Sequence, residues 1–238
     1  MSTQRALARR AAAELVGTAA LVAVIVGSGI QASALSPDIG VRLLANSLAS
    51  AIGLGLLIAL FGPVSGAHLN PVVTLSEWWS NRRTTRPREA ALYVAAQLAG
   101  AVTGALLAEA MFGRPPGAWS TQIRSAHHLL LGEIVATAGL VLLIRGLQRI
   151  DRAALIPVAV ASYIAAAIWF TSSGSFANPA ATVGRSLSDS FTGIAPGSLP
   201  GFIGAQLVGA LLGIALAALL YGPNHPVPPV NREAPISV

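Results

Sequence analysis

Two short stretches decide how this chain is read: Gly66-Ala67-His68-Leu69-Asn70-Pro71-Val72-Val73-Thr74-Leu75 and Phe176-Ala177-Asn178-Pro179-Ala180-Ala181-Thr182-Val183. Asn is a favoured helix N-cap and Pro a favoured first helical residue, so each stretch reads as a helix start. The apolar segments they open, 70–79 and 178–187, are 10 residues long. That length rises only about 15 Å, half the thickness of a bilayer core. A single short segment would suit a helix lying on a membrane surface. A matched pair, with the asparagines 108 residues apart, does not.

The rest of the chain is apolar enough to put both segments inside a membrane. Its 238 residues are 54% hydrophobic and 10% charged, far from the roughly 25% charged content of a soluble domain. Six spanning segments are read at 14–32, 43–64, 90–111, 129–147, 153–170 and 199–221. Each is long enough to cross about 30 Å of hydrocarbon at about 1.5 Å per residue. Arg5, Arg9 and Arg10 before the first segment resemble the start of a signal peptide, but the apolar run is too long and five more follow. The tail from Pro223 to Val238 lacks apolar periodicity and is expected to be unstructured and cytoplasmic.

The net charge of +6 would suggest nucleic acid in a soluble protein. Here all 15 basic residues are arginines, bunched between apolar runs rather than spread along a polar face, so no nucleic-acid role is read. Eleven of them (Arg5, Arg9, Arg10, Arg82, Arg83, Arg86, Arg88, Arg145, Arg149, Arg152, Arg232) fall on one side of the six spans. Arg42, Arg114, Arg124 and Arg185 fall on the other. The richer side is expected to be cytoplasmic, with the chain in the cell membrane and both termini in the cytoplasm. Without cysteine there are no disulfides, thiolate nucleophiles or cysteine metal sites.

The chain repeats. Gln97, Gly100 and Gly104 recur as Gln206, Gly209 and Gly213, each offset by 109 residues, and Glu14 and Glu133 open the first span of each half. Each half reads span, span, half-helix, span. An odd number of spans inverts the second copy, and inverted repeats with interrupted helices and a midplane site are a transport architecture. The expected fold is an all-α membrane protein of six transmembrane helices and two re-entrant half-helices. It forms a single channel domain with repeats at 10–118 and 119–222. The two Asn-Pro starts would meet near the midplane, where helix N-termini repel cations and offer donors to a neutral hydroxyl compound.

These residues resemble the paired NPA boxes of the aquaporin, or major intrinsic protein, family: Asn70, Pro71 and Val72 in the first box, Asn178, Pro179 and Ala180 in the second. Val72 stands where the family usually has alanine. The likeness runs over roughly residues 10–222 and is to a bacterial aquaglyceroporin-like member. It implies a right-handed bundle assembled as a homotetramer in the lipid bilayer, each protomer with its own pore. It also places a four-residue selectivity filter at Ser50, Ala166, Ser175 and Ala181. Most relatives carry arginine where Ala181 stands, so this filter is wide and lacks the fixed positive charge. By the same resemblance Glu14, Glu133, Gln97 and Gln206 are structural supports that brace the non-helical backbone before each half-helix.

His68 and Arg185 are candidate vestibule residues. Arg185 lies one helical turn beyond Ala181, and the other reading pairs it with a loop carboxylate such as Asp189. The glycine pairs permit close helix crossing, expected between the two halves. Trp78, Trp79 and Tyr221 read as interface anchors. No metal site, cofactor motif or nucleophile–base set is found, so the chain is not read as an enzyme. The function expected is a passive channel for water and small uncharged solutes: glycerol or other polyols, urea, and undissociated metalloid hydroxides such as arsenite. The alternative is a proton-coupled carrier using Glu14 and Glu133, because intramembrane carboxylates suggest function by default.

Overall fold

The structure, a computed structural model, describes residues 3–82 and 86–222. The tail from Pro223 onward, with Arg232, and the loop arginine Arg83 lie outside the described residues. The described residues form eight α-helices: α1 (Thr3–Leu35), α2 (Ile39–Ser65), α3 (Pro71–Ser80), α4 (Pro87–Met111), α5 (His127–Arg149), α6 (Ile156–Phe170), α7 (Pro179–Arg185) and α8 (Leu199–Tyr221). Six of these regions are long and apolar enough to cross a membrane, α3 and α7 being the short exceptions. The protein is therefore a multi-pass membrane protein.

Each half is built alike, and each element of the first has a counterpart in the second. Helix α1 packs along α4 as α5 packs along α8, α2 crosses to α6, and each half-helix reaches the other half's last helix, α7 to α4 and α3 to α8. The bundle has a basic end, carrying the start of α1 and the loops after α3 and α5. At the far end the long linker 112–126 lies over the loop 186–198. Ser120 donates its amide to the Ser186 carbonyl at 2.9 Å and Ala195 to the Gln122 carbonyl at 2.7 Å.

The repeated glycines set the helix spacing, but not between the elements that the sequence suggested. A Cβ on Gly100 or Gly104 would run into the carbonyls of Leu15 and Ala19 on α1. One on Gly209 or Gly213 would come within 2.6 Å of the Ile134 and Ala138 carbonyls on α5. These are contacts inside each half, not between halves, because the first and last helices of each half cross at the glycines of the last. A close approach to backbone across the halves falls at Gly184, whose Cβ would stand 2.6 Å from the Ala101 carbonyl.

Two further expectations change. Arg145, counted above as a topology-setting charge, is buried in α5; it pairs with Glu77 at 3.1 Å and donates to the Ser76 carbonyl, tying the end of α3 to α5. Trp78 does not anchor at an interface: it lines the internal cavity and its indole nitrogen is buried. Trp79 and Tyr221 remain half exposed.

Replacing Gly104 by Val forces a side chain against backbone that cannot yield, so the loss should reach the upper end of the roughly 1–3 kcal/mol seen for overpacking. Gly204 on α8, where an added Cβ would have nothing within 4 Å, is the control. Thermal unfolding in detergent should show a clear drop for Gly104→Val and none for Gly204→Ala. Equal melting of the two would mean that helix spacing at Gly104 is not limiting.

Candidate functional site

Each half-helix is entered by a short non-helical loop with left-handed residues at alternate positions. Ala67 and Leu69 have φ of 47° and 49°, Ser175 and Ala177 of 48° and 45°. None is glycine, so this backbone is costly and persists only because its surroundings fix it. The alternation turns successive amide N–H groups to one side, where a buried carboxylate waits. Glu14 accepts from the amides of His68 at 3.0 Å and Leu69 at 2.7 Å, and also from Ser65 Oγ and Gln97 Nε2. Glu133 accepts from Phe176 at 2.8 Å and Ala177 at 2.9 Å, and from Gln206 Nε2. Gln97 and Gln206 each donate onward to a half-helix threonine, Thr74 and Thr182.

With the amides bound to the carboxylates, the Leu69 and Ala177 carbonyls turn to the asparagine of the other half. Asn70 and Asn178 then join the halves. Asn70 Oδ1 accepts from the Val72 amide, and Asn178 Oδ1 from Ala180 and Ala181, so each caps its own helix. Asn70 Nδ2 donates to the Ala177 carbonyl and Asn178 Nδ2 to the Leu69 carbonyl, both at 2.8 Å. An amide nitrogen carries two hydrogens, which leaves one on each Asn for another acceptor.

Both asparagines line a single cavity of about 710 Å³. It runs from Arg10, Glu77 and Gln148 at the basic end, past the two boxes, to Arg124, Phe191 and Thr192 at the far end. It is lined by the two loops, residues 66–69 and 174–177, by the aliphatic side chains of Leu21, Ile25 and Leu54 and of Ile156, Val160, Ile164 and Ile168, and by the polar Asn46 and Ser50 of α2. A solute in this passage meets polar and aliphatic groups together. Among the described residues no group of His, Asp and Glu could hold a metal ion.

The predicted site residues divide. Ser50, His68, Asn70, Ser175, Asn178, Ala181 and Arg185 all line the cavity. Pro71, Val72, Pro179 and Ala180 are buried beneath them. Ala166 does not belong with the filter positions: it does not line the cavity, while Ile164 and Ile168 of the same helix turn inward. A fixed spacing from Asn178 ignores the helix phase. The stripe Ile156, Val160, Ile164, Ile168 at every fourth residue is the signal in the sequence that marks the inward face. His68 Nδ1 lies 3.1 Å from Thr74 Oγ1 and its ring 5.3 Å from that of Tyr93.

Arg185 makes no pair with Asp189. Its Nε donates to the Thr192 carbonyl at 2.5 Å and its guanidinium carbon sits 3.2 Å over the Phe176 ring. Asp189 accepts instead from the Thr121 amide and hydroxyl. Sequence reasoning misses Arg124, whose guanidinium carbon lies 5.2 Å from the same ring while Nε donates to the Gly193 carbonyl. It stands in the linker far along the chain from both boxes, and no local motif marks it. Burial lowers its pKa and Glu133 opposes that shift; a guanidinium stays charged regardless.

Six spans in inverted halves, two half-helices meeting at their N-termini and an internal passage between the two ends define a membrane channel. The comparisons agree. Residues 1–171 match the family described as Major intrinsic protein, and the chain belongs to that family. It is 47% identical to the aquaglyceroporin AqpS of Rhizobium meliloti over 93% of this chain and 94% of that one. It is 32% identical to the probable aquaporin AqpM of Archaeoglobus fulgidus, over 90% of this chain and 96% of that one. In fold it is similar to the X-ray structure of the aquaglyceroporin from Plasmodium falciparum, at TM-score 0.70 and 20% identity, covering 91% of this chain and 96% of the other. The protein is a channel, not an enzyme.

Removing Glu133 should damage folding rather than selectivity. Glu133→Leu strips acceptors from two buried amides and from Gln206, at roughly 1–3 kcal/mol for each donor left unsatisfied. Yield of monodisperse protein should collapse. Abundant, well-folded Glu133→Leu protein would show that the carboxylate does not support the loop.

Proposed function

We propose that the cavity is a pore passing water and small uncharged solutes, glycerol or other polyols and urea among them, with undissociated metalloid hydroxides such as arsenite included by size. The observation that carries this reading is a continuous lining that joins the two Asn-Pro boxes to a stripe of aliphatic side chains. Asn70, Asn178 and the polar residues of the lining offer donors and acceptors, and the aliphatic side chains of α6 offer none. A solute with several hydroxyls can exchange water for these groups while its carbon side lies on the aliphatic wall. A bare cation meets two helix N-termini at the boxes and is repelled. The names of relatives such as AqpS point the same way.

In this reading Ser50, Ser175 and Ala181, with Ile168 in place of Ala166, form the selectivity filter, and His68 lines the cytoplasmic vestibule. Glu14, Glu133, Gln97 and Gln206 are supports. The segments 10–118 and 119–222 are two inverted repeats of one domain. Both termini lie in the cytoplasm of a cell whose outer lipid bilayer holds the protein, because the basic end carries most of the arginines. Homotetramer assembly suits the apolar side chains exposed along α2 and α8, such as Leu56, Leu60 and Leu211. The carrier reading is not favoured: Glu14 and Glu133 are fully buried, line no portion of the cavity, and are taken up by loop donors.

The test is permeability in liposomes at matched protein density. Wild type should conduct both water and glycerol. Ala181→Arg should cut glycerol conduction sharply, by about tenfold or more, and water less, since water is small and accepts guanidinium bonds. A wild-type protein that excludes glycerol would overturn the filter assignment.

A further inference from the structure

The outer end of the cavity carries positive charge that conduction of neutral solutes does not require. Arg124 and Arg185 hold their guanidinium carbons 5.2 and 3.2 Å from one ring, that of Phe176. In each the Nε is tied to a backbone carbonyl, of Gly193 and Thr192, which leaves the terminal nitrogens to the cavity both residues line. Among the described residues neither is in an ion pair.

The nearby carboxylates are committed elsewhere. Glu133 holds the loop amides, Asp189 holds Thr121, and Glu109 is paired with Arg114 at 2.8 Å. The last pair also sets Arg185. Glu109 accepts from Ser188 Oγ, which bonds Ser190 Oγ at 2.9 Å, which lies 3.2 Å from Thr192 Oγ1, and Thr192 is the residue whose carbonyl holds Arg185. Two like charges against one ring, with no carboxylate in ion-pair contact and only the Glu133 carboxylate, already bound to the loop amides, acting on both, are an incomplete arrangement. Beside them Ser175 Oγ is buried with no hydrogen-bond partner, and so is Ser50 Oγ on the wall of the same cavity.

We propose that Arg124 and Arg185 form a binding site for a small monovalent oxyanion at the outer end of the pore. The ion's oxygens accept from the terminal guanidinium nitrogens and from the Ser175 hydroxyl. Planar guanidinium forks match such oxygens better than any other side chain, and rings of arginine select anions in pores. The ion is held at the outer end, where both guanidinium groups reach the passage, and stands in the path of a solute. Occupancy therefore obstructs the pore. This proposal rests on reading the cavity as a pore.

The probe is nitrate, replacing chloride at constant ionic strength outside liposomes holding the full chain. Water permeability is read by stopped-flow light scattering, and binding to the detergent-solubilised protein by calorimetry. Wild type should lose water permeability saturably with nitrate and show binding heat. Arg185→Gln and Arg124→Gln should each weaken both responses at least about tenfold, Arg185→Lys less. Arg42→Gln, an outer-end arginine that does not line the cavity, should respond as wild type. Nitrate without effect on flux and without binding heat, or an equal response in all variants, would overturn the proposal. Should Arg185→Gln fail to fold, Arg124→Gln and the wild-type titration decide. A wild type no more permeable to water than empty liposomes would overturn the pore reading instead, with calorimetry still deciding on the anion.

Discussion

Backbone that leaves the helical path inside hydrocarbon must find partners for every amide, and water is not there to supply them. The structure depends on how this is met. Two carboxylates, Glu14 and Glu133, are carried on the first helix of each half and buried completely. Their oxygens gather the amides of the two loops. Collecting the amides there leaves the Leu69 and Ala177 carbonyls to the asparagines of the other half, so the joint between the halves follows from the need to satisfy the backbone. The left-handed residues at 67, 69, 175 and 177 follow from it too, since the chain reaches this arrangement only by flipping alternate peptides.

Close packing then holds the loops against the carboxylates. The glycines of α4 and α8 let those helices lie against α1 and α5, the helices that carry Glu14 and Glu133. Gln97 and Gln206 stand on the same faces and link each carboxylate to a half-helix threonine. A bulky residue at Gly104 would therefore draw the acid away from its loop as it pushed α4 off α1. Gly184 adds a contact between halves, setting α7 against Ala101 of α4.

Much of this is legible in the residues themselves. Long uncharged runs mark the spans, and a repeated Asn-Pro start on segments too short to cross marks the half-helices; both α3 and α7 begin at those prolines. What the sequence hides depends on helix phase and on contacts distant along the chain. Counting back from Asn178 selects Ala166, but the turn between α6 and the box alters the register, and the inward stripe falls on Ile164 and Ile168. The glycine pairs are visible, yet their partners are not, because spacing along one helix does not say which neighbour it meets. Arg124 and Arg185 reach the same ring from segments 61 residues apart, a proximity that only the folded linker creates.

The reciprocal asparagine bonds bear on how the chain is made. Asn70 and the carbonyl it binds, that of Ala177, are 107 residues apart. At ~5–20 residues per second, the ribosome needs roughly 5 to 20 s to deliver that carbonyl after Asn70 has emerged. Through that interval the first half sits in the membrane with a capped half-helix and an amide still lacking its acceptor, while Leu69 awaits its donor from Asn178. Neither half can finish its wall of the passage alone. The interior is complete only once the second loop lies against the first, so a chain halted before Ala177 would leave the Asn70 amide and the Leu69 carbonyl without these partners.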